Sequence, residues 1–422
     1  IDSGTTVLSG GREKVFGTAR DLVLSGGGVD FVYQGAVATG TVVSSGSTEY
    51  VYGSAVGEIV RSGGATIIYS GGTASGATVA DGGIETVQAG GIDSGTTVLS
   101  GGREKVFGTT RGLVLSGGVD FVYQGAVATG TVVSSGSTEY VYGSAVGEIV
   151  RSGGAANVYS GGTASGATVS AGGFLTVQAG GIDSGATIAS GGMETVLAGG
   201  IDSGTTVLSG GREKVFGTAR DLVLSGGGVD FVYQGGVATG TVISSGSMEY
   251  VYGSAVGEIV RSGGVANVYS GGTASGATVA SGGTEYIQQG GILAGATLSG
   301  GLIEIMSGGT AGTSQIGFAT SAGGTLRLDD SQHFNGVISG FGVPGSIDLR
   351  DIAFGSGTTL GYTDNGGSGT LTVQAGSNMA TIHLIGQYVQ ANFNMQTDGH
   401  GGTLITDPPL AGQYSYYSPT HS

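Results

Sequence analysis

Cysteine is absent from the 422-residue chain. Disulfides and thiolate chemistry are therefore excluded, an absence that suits a bacterial exported protein. Proline occurs only 4 times and no G-X-Y period exists, so the chain is not collagen-like despite its 94 glycines. Basic residues are scarce: 14 Lys and Arg against 30 Asp and Glu leave a net charge of −16. Nucleic acids and anionic membrane surfaces need a basic footprint that this composition lacks. No apolar run approaches the ~18 residues of a membrane span. Histidine is missing from the repeated part of the chain; His333, His383, His400 and His421 all lie near the C-terminus. No GxSxG, HExxH or P-loop motif occurs, and neither an EF-hand loop nor a GGxGxDxUx calcium run is found.

What the chain has is repetition. The run IDSGTTVLSGGREKVFG begins at Ile1 and returns at Ile92 and Ile201, with a short extra unit at 182–200 before the third copy. Val29–Ala65 is identical to Val119–Ala155. Each long unit divides into five rungs that share the pattern V-x-x-G-[GS]-x-[ED]-x-[VI], starting at Val7, Val23, Val43, Val60 and Val79. The spacing across the glycine pair is nearly constant, so that turn is tight, while the connection to the next rung varies in length. Glycine reaches φ > 0 without steric cost, as a sharp turn requires. Stretches such as TTVLS and VDFVY are rich in the β-branched and aromatic residues of strands, and no helical period appears. A unit of about 18–19 residues cannot bury a core alone and must stack on its copies. The fold class is all-β: a parallel β-helix or β-solenoid over residues 1–325, then a small β C-terminal cap at 326–410 and a flexible tail at 411–422. The chain opens within a repeat and without Met, which reads as a segment of a longer precursor.

Strand alternation assigns faces. The aliphatic pair represented by Val79 and Val87 is expected to point inward. The residues beside the second aliphatic position, Phe16, Tyr33, Tyr52 and Tyr69 with their copies Tyr123, Tyr142, Tyr159, Tyr233, Tyr252 and Tyr269, then form an aromatic stripe on the outer face, joined by Phe31 and Tyr50. Such a stripe either covers the sheet, as cross-strand neighbours do, or binds a partner such as a sugar ring or a neighbouring copy. A second column is acidic, running from Glu13, Asp30 and Glu49 through Glu85, Glu104, Asp120, Glu139 and Glu194 to Glu285. It shares the face of the inward Val, and because unpaired buried carboxylates are costly, these side chains are expected to swing out to solvent beside the glycine turn. No cofactor is expected; calcium is the one ion this column could bridge.

The run SGGTASGATVADGGIETVQAGG, Ser70–Gly91, resembles the strand-loop-strand repeats of bacterial autotransporter passenger domains found in self-associating adhesins. The resemblance spans residues 1–309. It implies a surface or extracellular location. In some of that family, repeat Ser and Thr carry heptose added by a dedicated glycosyltransferase, which implies Ser70, Thr73, Ser75, Thr78 and their copies as modification positions. Members of the family end in a membrane β-barrel, which this sequence does not show, so the export route stays open. The segment after Leu326 resembles the terminal part of secreted repeat proteins of rhizobia and related bacteria.

Three functions follow. The leading one is a non-enzymatic secreted structural protein that self-associates by multivalent contact into a filament, matrix or aggregate. The second is an adhesin that binds glycans through the aromatic stripe. The third, and weakest, is a polysaccharide-active β-helix enzyme, whose best candidate site would be Asp398 with His400.

Overall fold

The computed structural model describes residues 1–407. The flexible tail expected at 411–422, with His421 in it, lies outside those residues. The chain is all-β: a parallel β-solenoid of about 19 residues per coil with extra strands near the C-terminus. It divides into two compact units, Ile1–Thr218 and Ala219–Ser422.

In the first unit each coil supplies three short strands, for example Thr73–Ser75, Thr78–Val79 and Ile84–Val87. Each strand pairs in parallel with its equivalent in the coils before and after. Val79 stands between Val60 and Val98, and Val87 between Ile68 and Val106. These aliphatic side chains are fully buried, so the core is a column of valines and isoleucines, with Ala55 and Ala74 where the walls approach. The inward assignment of Val79 and Val87 holds.

The glycine pair at each turn serves two separate needs. Gly82 has φ +69°, a left-handed conformation costly for any residue with a Cβ. Gly83 has ordinary φ, but a Cβ there would lie 2.4 Å from the Val60 carbonyl oxygen of the preceding coil. The first glycine makes the turn and the second admits the neighbouring backbone.

The second unit is built from coils of the same kind, with Asp230 in register with Glu249 and Val242 with Ile259. The parallel pattern runs on through Thr325–Leu328 to Ser346–Leu349. Antiparallel pairing then enters: Thr358–Asp364, Ser368–Ala375 and Asn378–Ile385 form a meander whose last strand also pairs in parallel with Val337–Ser339, and Asn394–Thr397 with Thr403–Thr406 form a hairpin against Ser346–Leu349. Phe318, Phe341, Phe393 and Tyr362 contact one another along this region at ring-centroid distances of 5.3, 6.5 and 5.4 Å. Among the described residues no helix is long and apolar enough to cross a membrane.

The close approach at the second glycine gives a direct test. Gly83→Ala is expected to destabilise the first unit by about 1–3 kcal/mol, the usual cost of overpacking, whereas Asp81→Ala on the exposed turn changes little. Denaturant midpoints by circular dichroism measure both.

Candidate functional site

The outer face carries the aromatic stripe where the sequence placed it. Phe16, Tyr33, Tyr52 and Tyr69 follow one another on successive coils at centroid distances of 4.5, 6.4 and 4.7 Å. Phe107, Tyr123, Tyr142 and Tyr159 repeat the series at 4.3, 6.3 and 4.9 Å. Phe31 stacks on Tyr50 at 5.1 Å, and Phe121 on Tyr140 at 5.0 Å. In the second unit Tyr233, Tyr252 and Tyr269 are spaced at 6.2 and 5.0 Å. Planes of successive rings are near parallel, so ring faces are largely spent on each other and the outward surface consists of ring edges and hydroxyls. Offset stacking of this kind contributes roughly 0.5–1.5 kcal/mol per pair beyond burial. The wider step leaves a shallow groove of about 410 Å³ lined by Phe31, Tyr33, Gln34, Tyr52 and Ser70. The copy of that groove, about 530 Å³, is lined by Phe121, Tyr123, Gln124, Tyr142, Ser160 and Gly161. Ser70 and Thr73 are exposed, and Ser75 and Thr78 half-buried, on outward-facing positions.

The acidic column contradicts its expectation. Glu49, Glu85, Glu104, Asp120, Glu139, Glu194, Glu249 and Glu285 are 0% exposed. Glu85, Glu104, Asp120 and Glu139 stack in register one above another inside the first unit. Only Glu13, near the first coil, is half-buried. The reason is strand geometry. Glu85 lies within Ile84–Val87, paired along its whole length on both edges, and its neighbours Ile84 and Thr86 already occupy the outward positions. A side chain fixed there by alternation cannot reach the turn.

Burial forces these acids to hold their protons. Desolvation pushes Asp120 up to about 8, with the neighbouring Asp93 charge adding to it. It pushes Glu139 up to about 7 beside Glu148 and Asp120. In the second unit it raises Glu258 to about 7 and Glu285 to about 8, each beside the other and beside Glu249. Glu49 and Glu58 face each other across the lumen, both raised first by desolvation. Two carboxylates have no donor between them; one proton supplies it. Thr66 adds a hydroxyl, donating to Glu58 Oε2 at 2.8 Å. The two-residue offset from an inward Val already placed these acids on the inner face; the cost of burying an ionised carboxylate argued them out again.

The C-terminal candidates are dispersed. Asp398 Oδ1 accepts the backbone N–H of His400 at 2.7 Å and of Gly402 at 2.8 Å, which ties a glycine-rich turn. His333 Nδ1 lies 2.7 Å from Asp330 Oδ1. Arg327 donates to Asp348 at 2.8 Å and to Glu304 at 3.2 Å, and Ser331 donates to Asp351. His383 lies on the meander, 3.5 Å from the Thr370 hydroxyl. No single cleft gathers Asp398 and His400 with these groups among the described residues.

Known structures provide a comparison. A crystal structure of a TibC-catalysed, hyper-glycosylated TibA55-350 fragment matches with 29% identity and a TM-score of 0.50, covering 76% of this chain and 98% of that one. The fold is thus that of an autotransporter-passenger-like β-solenoid. Tailspike mutants of E. coli bacteriophage HK620 also align, at 10% identity over 96% of this chain and 84% of theirs, with a TM-score of 0.23. No family model and no curated protein matches the chain.

The buried acids predict an inverted pH profile. Their folded pKa values lie above the unfolded ones, so the folded state binds more protons than the unfolded state between pH ~4 and ~8. Stability is therefore full below the unfolded pKa and falls as pH rises through the folded values. Thermal melts between pH 4 and 8.5 should show the melting temperature declining across that window. Glu258→Gln, which keeps a donor and removes the ionisation, should flatten part of the decline.

Proposed function

We propose that this chain is a non-enzymatic, surface-exposed or secreted β-solenoid adhesin whose outer aromatic stripe mediates association with further copies of itself. The observation that carries the reading is the ring stack. Stacked rings hide their faces from solvent, whereas a sugar stacks on an exposed ring face. What the stripe offers instead is a repeated, nearly flat row of edges and hydroxyls, which suits an equally repetitive partner. Contacts that recur at each long unit add by multivalency even when each is weak. Likeness to the TibA fragment supports a passenger-type surface or extracellular setting. The description of that fragment as hyper-glycosylated supports Ser70, Thr73, Ser75, Thr78 and their copies as sugar-bearing positions on this chain. The extra C-terminal strands act as the cap of the solenoid, whose open sheet edge would otherwise pair with another chain.

A second reading, glycan binding, is favoured by one feature. The grooves at Tyr33–Tyr52 and Tyr123–Tyr142 open at the wider ring steps and bring Gln34 or Gln124 beside partly uncovered rings.

One set of variants separates the two. Tyr33, Tyr52, Tyr69, Tyr123, Tyr142, Tyr159, Tyr233, Tyr252 and Tyr269 are replaced together by Ser, and association is followed by sedimentation velocity across a concentration series. The wild type should form concentration-dependent oligomers and the variant should remain monomeric with unchanged far-ultraviolet dichroism. Oligomers that persist in the variant, together with lost binding on a glycan array, would transfer the stripe to glycan recognition.

A further inference from the structure

The short extra unit at 182–200 has a structural consequence of its own. It brings two IDSG strands, Ile182–Ser184 and Ile201–Ser203, onto successive coils in parallel register. Asp183 and Asp202 therefore stand one above the other inside the first unit. Elsewhere the same aspartate has a different neighbour: Asp93 lies between Ala74 and Thr110, and Asp2 beside Ala19.

The difference shows in the hydrogen bonds. Asp93 accepts from Thr96 at 2.6 Å and from Thr110 at 3.1 Å, so each of its oxygens has a hydroxyl donor. Where Thr110 would stand above Asp183, there is instead a second carboxylate. Thr205 donates to Asp202 Oδ1 at 2.7 Å and reaches Asp183 Oδ2 only at 3.4 Å; a single hydroxyl proton cannot serve both. Asp183 Oδ1, Asp202 Oδ2 and both oxygens of Glu194 have no donor. All three side chains are 0% exposed. Glu194 has Leu175 as its in-register neighbour in the preceding coil and a further acid, Glu213, in the following one, so neither in-register neighbour offers it a hydroxyl.

These orphan atoms converge. Asp183, Glu194 and Asp202 each offer a carboxylate oxygen within 4.8 Å of the others. Carboxylate oxygens this close together can share one hard cation, the class that takes oxygen ligands. Three carboxylates able to bind through both oxygens, with the Thr205 hydroxyl, supply up to about seven ligands, within the usual calcium range. The absence of nitrogen and sulfur ligands disfavours zinc and copper.

We propose that Asp183, Glu194 and Asp202 form an internal site for one divalent cation of calcium size, enclosed when the coil bearing Asp202 closes over the coil bearing Asp183. Because the ligands are sealed from solvent, the ion enters during folding and exchanges slowly afterwards. Its charge replaces protons that three adjacent acids would otherwise have to retain. The site fixes the register of these two coils and does not depend on the adhesive function proposed above.

The test uses the full chain, unfolded in guanidinium and refolded in either millimolar calcium chloride or EGTA, then desalted. Mass spectrometry of the metal content should find one calcium per chain after refolding with calcium, with a melting temperature several degrees above that of the EGTA sample. Terbium refolded in place of calcium should give tyrosine-sensitised luminescence that fades only over hours on addition of EGTA. Glu194→Gln, close in shape and without the charge, should lose both the bound ion and the calcium-dependent gain. Asp93→Asn, at the hydroxyl-satisfied copy of the motif, should retain both. If Glu194→Gln fails to fold, the wild-type comparison decides alone. Equal melting temperatures with no retained metal would overturn the site and leave a cluster neutralised by protons. Undiminished retention in folded Glu194→Gln would overturn it equally, by placing the ion elsewhere.

Discussion

In-register parallel stacking is the constraint on which the rest depends. When one coil lies on a near-copy of itself, every residue meets its own equivalent about 4.8 Å away. For valine this is favourable, since like shapes nest and the core becomes continuous. For tyrosine it is favourable too, because adjacent rings lie parallel and stack. For glutamate it sets like charge on like charge in a medium that solvates neither. One geometric rule thus produces the Val79 column, the Tyr52 stripe and the Glu85–Glu104–Asp120 ladder.

The acidic ladder survives because a carboxyl group has a second state. Ionised and unpaired, a stacked row inside the lumen would be prohibitive. Protonated, each acid is a neutral donor and acceptor that can bond to the next, as Glu49 and Glu58 are placed to do across one coil. Where a threonine is at hand, as at Asp93 and Glu58, a hydroxyl takes over part of that role. A formal charge of −16 at pH 7 therefore overstates what the folded chain carries, because many of its carboxyl groups are internal and resist ionisation. This bears on association: copies repel less than composition suggests, and lateral contact between aromatic faces meets a lower electrostatic barrier.

Most of the architecture was legible because repetition displays its own alignment. Superimposing the rungs exposes the two aliphatic positions, the glycine pair and the aromatic column, and alternation then places Val79 inside and Tyr52 outside. The acids were misread for a chemical reason, not a geometric one. Alternation already put Glu85 on the Val87 face; the penalty for burying an ionised group argued it out again, without allowing that the group could stay protonated. The two distinct needs met by Gly82 and Gly83 were also invisible, since only the fold shows that one bends the chain and the other admits the Val60 carbonyl. Near the C-terminus the chain loses its repeat, and with it the internal alignment, so the antiparallel meander at Thr358–Ile385 could be anticipated only as short strands.

Duplication also makes its exceptions informative. A coil copied in full inherits neighbours that suit it, as Asp93 inherits Thr110. An extra unit, as at 182–200, creates a contact that the long units do not have: Asp183 against Asp202, with Glu194 nearby on the coil of Asp183. Such a junction must be neutralised by protons or by a cation, and the choice depends on how many oxygens converge. At Glu49 and Glu58, with Asp30 in register with Glu49, the Thr66 hydroxyl serves Glu58 and shared protons answer for the rest. Around Glu194 three carboxylates meet within 4.8 Å, Glu213 stands in register with Glu194 on the next coil, and a single hydroxyl is nearby, so neutrality by protons alone requires all of these adjacent acids to stay unionised together. The break in the repeat, where three carboxylate oxygens converge, is thus where a structural ion has most to contribute.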